Sequence, residues 1–454
     1  MQHGLAARQF TTVLAIAVTI LVARAWAEPA AIATGPSAPS AGTPQRAVGA
    51  LDSLLALPVL DLGWLDRAVL ERNPSLDAMR SAWRASEARA DQAGALEDPT
   101  VEATTAPQSW SSDRVDPAYM VMIRQRFPLF GQRGLRGRAA REMASAAGEE
   151  YRTERLNLLR ETRDAFAVYY RNARAREVNA QLVDLVGQFR RIALTKYEAG
   201  TANLSDVLQA DVELAMLDHQ GVALERDRRV VVARIDTLLR RDPLSTLPEP
   251  AADLPAPFVP VRADSVLAVA RATRPELRGI EAEQRARSAE VSLARRGRYP
   301  DFEVQARYDR FMNERQWRPQ VGAGLSLPLQ LGRIGASVRE ARAMLAETES
   351  KRTATLNRVD YEVAVAASRV EEIHHEMEIV EGRVVPATEQ SLAASRAGYE
   401  SNRADFLTLL NAERDLARAR LSLFDVRAEY FLALADLERA VGTPPAGATE
   451  GSDR

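Results

Sequence analysis

The sequence predicts a mainly α-helical chain with a small β part. Long antiparallel helices form the wall of an oligomeric α-barrel, and four strands per chain contribute to a β-barrel shared between subunits. Three observations predict this: a tandem duplication, heptad stripes on very long helical segments, and two pairs of short alternating segments.

The duplication is read from landmarks that recur at nearly constant spacing. Asn73-Pro74-Ser75-Leu76 returns as Arg274-Pro275-Glu276-Leu277, and Phe127-Pro128-Leu129 as Leu327-Pro328-Leu329. Tyr197-Glu198 returns as Tyr399-Glu400, and Pro243 as Pro445, so the offset drifts only between 200 and 202 residues. The repeats span 61–242 and 262–442, joined by a Pro-rich linker over 243–261. Each copy runs helix (62–97; 263–299), two strands (100–107 and 118–127; 301–309 and 319–327), a bend, a very long helix (135–198; 336–400) and a last helix (204–241; 405–441). The bends hold Pro128 and Gly131 in one copy and Pro328 and Gly332 in the other.

Ahead of the repeats, residues 1–27 read as a cleaved signal peptide: Arg8, an apolar stretch from Thr11 to Ala23, and the small-x-small site Ala25-Trp26-Ala27. That stretch is shorter than the ~20 residues a spanning helix needs. Residues 28–60 and 443–454 read as flexible ends, the first rich in Ala, Pro, Gly and Ser.

The helices carry more than one seam. The last helix has Ala419, Leu423, Val426, Tyr430, Ala433, Leu437 and Ala440 at heptad spacing, with a second stripe of Leu421, Phe424, Ala428, Phe431 and Ala435 beside it. Two seams predict two neighbours, as in a closed wall. A helix of ~64 residues is about 95 Å long at 1.5 Å per residue, which suits a structure that crosses a compartment.

The strands alternate as in a membrane barrel. Phe302, Val304, Ala306 and Tyr308 share one face, as do Val321, Ala323, Leu325 and Leu327; Glu303, Gln305 and Arg307 lie on the other. In the first copy Tyr119, Val121, Ile123 and Phe127 oppose Met120, Met122, Arg124 and Arg126, while Trp110 and Trp317 sit near the outer ends. Four strands cannot close a barrel, since membrane barrels have at least about eight. Open edges in lipid leave backbone groups unpaired, so several chains must share one barrel.

Composition narrows the function classes. The 454 residues are 27% charged with a net charge of −2, which gives no electrostatic footprint for nucleic acid. The absence of cysteine excludes disulfides, thiolate metal sites, a cysteine nucleophile and acylation at an N-terminal cysteine. Of the four histidines, His374 and His375 are adjacent on a helix and point about 100° apart; they read as a solvated face, and Ile379 stands where a zinc-protease motif needs its second His. No catalytic constellation, cofactor-binding motif or metal site stands out. Two other readings fit parts of the pattern: a periplasmic coiled-coil adaptor or scaffold without a membrane barrel, and an exported enzyme with helical arms.

Tyr197-Glu198-Ala199-Gly200-Thr201-Ala202-Asn203-Leu204-Ser205-Asp206-Val207-Leu208-Gln209-Ala210 resembles the Y-x-x-G-x-x-x-x-x-D-V-L-x-A hairpin of the TolC-like family of outer-membrane efflux ducts. The resemblance covers about 61–442; the second copy keeps Tyr399 and Ala412 but has Asn402 for the glycine and Thr408 for the aspartate. The bend Phe127-Pro128-Leu129-Phe130-Gly131 is similar to one in members serving metal-ion pumps. The resemblance implies a homotrimer with a 12-stranded barrel above a 12-helix tunnel. It also implies residence in the outer membrane with extension into the periplasm, and docking to a periplasmic adaptor and an inner-membrane transporter. The exported solutes would be metal cations or drugs.

The hairpin tips are the candidate functional residues. Gly200 and Asn402 end the long helices, since glycine and then asparagine best adopt the left-handed conformation there. Asn203 and Asp405 occupy N-cap positions. By resemblance these tips form the periplasmic entrance, where Asp206 and Asp405 would recur around the opening and favour cations. Tyr399 matches a tyrosine of the family's closing network, and Arg403 is the nearby basic candidate.

Overall fold

In a computed structural model the described residues are 58–110, 118–256 and 261–443. The predicted signal peptide, the segment 28–57, the side chain of Trp110 and the tail from 444 lie outside them.

Each copy opens with a broken helix. Helix α1 (Leu62–Arg72) is capped by Asp61, whose carboxylate accepts from the Trp64 N–H. Helix α2 (Pro74–Gly94) starts one residue later, with Asn73 extended at φ −68 and ψ 123. The second copy repeats this as α5 (Ala263–Thr273) and α6 (Pro275–Arg296), with Arg274 extended between them. The sequence reading had one helix here. Proline forces the residue before it out of the α region, so Pro74 and Pro275 each start a new helix.

The equivalent break residues make equivalent bonds. Asn73 Nδ2 donates to the Leu238 carbonyl at 3.3 Å, and Arg274 Nη1 to the Ala440 carbonyl at 2.5 Å. Both satisfy carbonyls that a helix C-terminus leaves without partners. Arg274 is buried and also holds Glu276 (2.8 Å) and Glu362 (2.5 Å).

Strands β1 (Thr100–Thr105), β2 (Tyr119–Phe127), β3 (Asp301–Asp309) and β4 (Pro319–Ser326) form one antiparallel sheet in sequence order. The β2–β3 ladder joins the two copies.

Helix α3 (Gln132–Glu198) has 67 residues without a break, and α4 (Leu204–Leu238) returns along it. The second copy differs. Helix α7 (Leu331–Ile379) passes through a π turn over Val380–Val384 into α8 (Val385–Glu400), and α9 (Phe406–Val441) returns. The π turn precedes Pro386, whose ring would clash with the Gly382 carbonyl in a regular helix; the wider turn relieves this.

The two seams of α9 meet two helices. Phe431 packs on Phe166 of α3 at 6.3 Å and Phe424 on Tyr170 at 6.3 Å. Tyr430, Ala433 and Leu437 join Val359, Val363, Val370 and Ile373 of α7 in one core cluster. A second cluster sits toward the tips, with Val186, Phe189 and Ala193 of α3, Val207 and Ala210 of α4, Tyr399 of α8, and Phe406, Leu409 and Leu410 of α9.

Candidate functional site

Two features carry the chemistry, the sheet and the hairpin tips. Directly opposed residues in a ladder share a face, so the register sorts the side chains. Val101 faces Ile123, which faces Ala306, which faces Val321. Phe127 faces Phe302, which faces Leu325. Val304 and Ala323 pair on the same face, as do Val121 and Tyr308. Apart from Met120 and Met122, which lie on the other face, the apolar residues of the four strands therefore form one face, interrupted by Gln125, whose amide donates to the Glu97 carbonyl at 2.8 Å. Much of this face lies open: Val101 is 61% exposed, Val321 84% and Leu325 60%. Leu327 falls one residue beyond the ladder.

The opposite face is polar and internally paired. Arg124 meets Glu303 at 3.0 Å, Arg126 meets Asp301 at 2.7 Å, and Arg307 donates to Gln320 at 2.7 Å. Gly322 lies beneath Gln305, where a Cβ would come within 2.9 Å of the amide.

The bends below the sheet differ between copies. Phe130 (φ 57) and Gly131 (φ 72) are both left-handed, following Pro128, and a Cβ on Gly131 would stand 2.8 Å from the Arg296 guanidinium. In the second copy the turn after Pro328 uses no left-handed residue. Gly332, expected in that bend, lies in the first turn of α7, because α7 begins at Leu331.

At the tips the backbone reading holds. Gly200 (φ 69) and Asn402 (φ 57) are left-handed, and the return is closed by Thr201 N–H to the Lys196 carbonyl (2.8 Å) and Arg403 N–H to the Gly398 carbonyl (2.8 Å). Asp405 caps α9 through the Thr408 N–H and hydroxyl, which hold its carboxyl below the usual range. Asn203 occupies the N-cap of α4 but makes no side-chain cap bond.

Four side chains tie one hairpin to the other. The Tyr399 hydroxyl donates to Asp206 Oδ2 at 3.2 Å. Burial, and then the Asp206 carboxylate, push the Tyr399 hydroxyl pKa upward, so it stays a donor. Lys196, at the end of α3, donates to the Tyr399 carbonyl and to Asn402 Oδ1 (2.6 Å), and its ammonium lies 4.6 Å from the Tyr399 ring centre. The basic residue of this network within one chain is thus Lys196. The Arg403 side chain is exposed and forms no hydrogen bond or ion pair among the described residues. Tyr197, the first-copy counterpart of Tyr399, is 43% exposed.

Lys196 also stands out in the sequence. It is one of two lysines in a chain whose other basic residues are all arginine. An ammonium presents three donors at a point, which suits a carbonyl, an amide oxygen and a ring face converging from one side.

The sequence profile of the outer membrane efflux protein family matches residues 65–239 and 266–443. The chain belongs to that family. Membership places it among efflux channels rather than enzymes. The TolC-like fold is shared with solved members. CusC aligns with TM-score 0.72 at 15% identity, covering 86% of this chain and 94% of that one. VceC from Vibrio cholerae aligns with TM-score 0.69 at 19% identity over 84% and 96%. The open state of the Neisseria gonorrhoeae channel MtrE aligns with TM-score 0.69 at 18% identity over 84% and 89%. The cobalt-zinc-cadmium resistance protein CzcC of Cupriavidus metallidurans is 23% identical over 159 residues, which is 34% of this chain and 37% of that relative.

Of the two adjacent histidines, only His375 lies on the solvated face that the sequence predicts for both. His374 packs on Tyr430 with ring centres 5.7 Å apart and approaches Glu378 at 3.5 Å, while His375 points into solvent. Among the described residues no group of three or more His, Asp or Glu is arranged to hold a metal ion. Nor is any described helix long and apolar enough to cross a membrane.

Proposed function

We propose that this chain is the outer-membrane channel subunit of a tripartite efflux pump. Three copies close a common 12-stranded barrel in the outer membrane above a helical tunnel reaching into the periplasm. The observation that carries this reading is the four-stranded sheet, whose edges β1 and β4 have no partner strand among the described residues, with one exposed apolar face. Such a sheet is costly in water and suits lipid only when neighbours pair its edges.

The helices support a cyclic assembly. Leu204, Leu208, Val212 and Met216 recur every four residues on α4, each 47–60% exposed. On α7, in the other copy, Tyr361 (69%) and Val365 (49%) are exposed. Two different apolar edges on one chain fit head-to-tail contacts that close a ring. The lipid-facing residues are Phe302, Val304, Ala306, Tyr308, Val321, Ala323 and Leu325, and the tips around Tyr399 and Asp206 form the periplasmic entrance.

The duct works with a periplasmic adaptor and an inner-membrane transporter, which supplies the energy. Its solutes are small toxic molecules, metal cations or drugs. The likeness to CzcC favours divalent metal ions. The test is twofold. The protein should fractionate with outer membranes as an oligomer whose gel migration changes on heating; recovery as a soluble protein would refute the channel. A deletion strain should become sensitive to cobalt, zinc or cadmium; sensitivity to drugs alone would remove the metal assignment.

A further inference from the structure

Glu413 stands on the buried face of α9, about two turns from the tip. The residues three and four positions away on both sides, Leu409, Leu410, Leu416 and Ala417, are all buried, and Glu413 itself is 2% exposed. Its Oε2 has no hydrogen-bond partner among the described residues. The adjacent Arg414 turns away from it to grip Glu213 of α4, with Nε 3.2 Å from Oε1 and Nη2 on Oε2. Glu213 is itself buried, so its carboxylate adds negative charge beside Glu413. Several other charges around the bundle are engaged elsewhere. Arg190 of α3 holds Asp211 of α4 at 2.5 Å, Glu389 of α8 holds Arg420 at 3.1 Å, and Arg396 holds Glu400 at 3.0 Å. Glu213 and Arg414 are left as the charges that act on Glu413.

An ionised carboxylate without a partner is among the most costly groups to bury, and the usual escape is to take up a proton. We propose that Glu413 is a proton-binding site built into the hairpin bundle, which keeps the tips packed when protonated and loosens them when ionised. Burial first, then the Glu213 charge, raise the carboxyl to about 7, against the pull of Arg414. The sign follows from linkage. The packed state binds the proton more tightly than the loosened one, so packing is strongest in acid and weakens as pH rises through about 7. The site rests on the channel reading only for its consequence, a pH-dependent conductance.

Infrared difference spectroscopy of the purified oligomer tests the site without any transport assay. A carboxylic acid C=O component that titrates with a midpoint near 7 should be present in the wild type and absent from E413Q, where only the lower-titrating component of groups such as Asp66 remains. In E213Q, Arg414 is freed to pair with Glu413, and the midpoint should fall by at least one pH unit. A wild-type spectrum without the component of midpoint near 7, or survival of that component in E413Q, overturns the proposal. In planar bilayers wild-type resting conductance should rise between pH 6 and 8, and that of E413Q should stay flat. A band with the expected midpoint in a protein that forms no channels would leave the proton site standing and count against the efflux reading. Equal pH profiles in the two proteins would remove the coupling of Glu413 to the tips.

Discussion

Tyr399 and Asp206, 193 residues apart in sequence, meet through a 3.2 Å hydrogen bond that joins the tip of one hairpin to the tip of the other. Lys196 closes the same junction from the other side, through Asn402. The two links are made by residues of both copies, so neither hairpin can move outward alone without breaking them.

If this junction holds the resting entrance closed, Tyr399→Phe combined with Lys196→Ser should raise single-channel conductance. Each hydrogen bond contributes about 0.5–1.5 kcal/mol, so losing the three that these two side chains make shifts the closed–open balance by roughly tenfold or more. Arg403→Ser should have a smaller effect, because the Arg403 side chain makes no tie among the described residues. Unchanged conductance in the double variant, with normal assembly, would place the gate elsewhere.

The sheet predicts an asymmetry between its faces. Val304→Arg or Leu325→Arg should cost ~2–4 kcal/mol if the site lies near mid-bilayer. Gln305→Arg, on the opposite face, should be tolerated. Thermal dissociation of the oligomer on gels measures both, and equal losses would mean that the apolar face is not in lipid.

The helix ends after α4 and α9 differ at one matched position, Arg240 (φ 54) and Gly442 (φ 83). A Cβ on Gly442 would lie 2.8 Å from the Arg274 backbone. Gly442→Ala should therefore destabilise by more than the ~1–2 kcal/mol of left-handed strain alone. Arg240→Gly should be neutral or slightly stabilising. Denaturation of the purified variants decides the order.

Asp66 is buried 3.7 Å from Arg163, which is itself held by Glu438 at 2.6 Å. Burial outweighs the guanidinium and raises the carboxyl to about 6. The folded state therefore binds the proton more tightly than the unfolded chain, and stability falls as pH rises from about 4 to about 6. Asp66→Asn should flatten that slope and gain on the order of 1–3 kcal/mol over wild type at pH 8. An unchanged slope in denaturant titrations would show that Asp66 is not responsible.

His374→Ala with His375→Ala should leave metal or drug resistance intact. His374 serves as packing against Tyr430, so a small loss of stability is expected without loss of transport. Loss of resistance in a normally assembled double variant would assign these side chains to the solute path.

The sequence by itself determined the features that depend on neighbours along the chain. Heptad stripes, strand alternation and the left-handed ends at Gly200 and Asn402 follow from side-chain period and backbone sterics over a few residues. The helix breaks at Pro74 and Pro275 were equally local, and a stricter reading of proline would have found them. Only the tertiary structure decided what lies across the chain. The β2–β3 ladder, the choice of Lys196 over Arg403 at the tips, and the burial of Glu413 while Arg414 turns to Glu213 all join residues brought together by helix packing. A charged residue in a heptad looks the same in sequence whether it faces water or a neighbouring helix. Which one is desolvated depends on the rotation of one long rod against the next, and that is set by the summed packing of the whole seam.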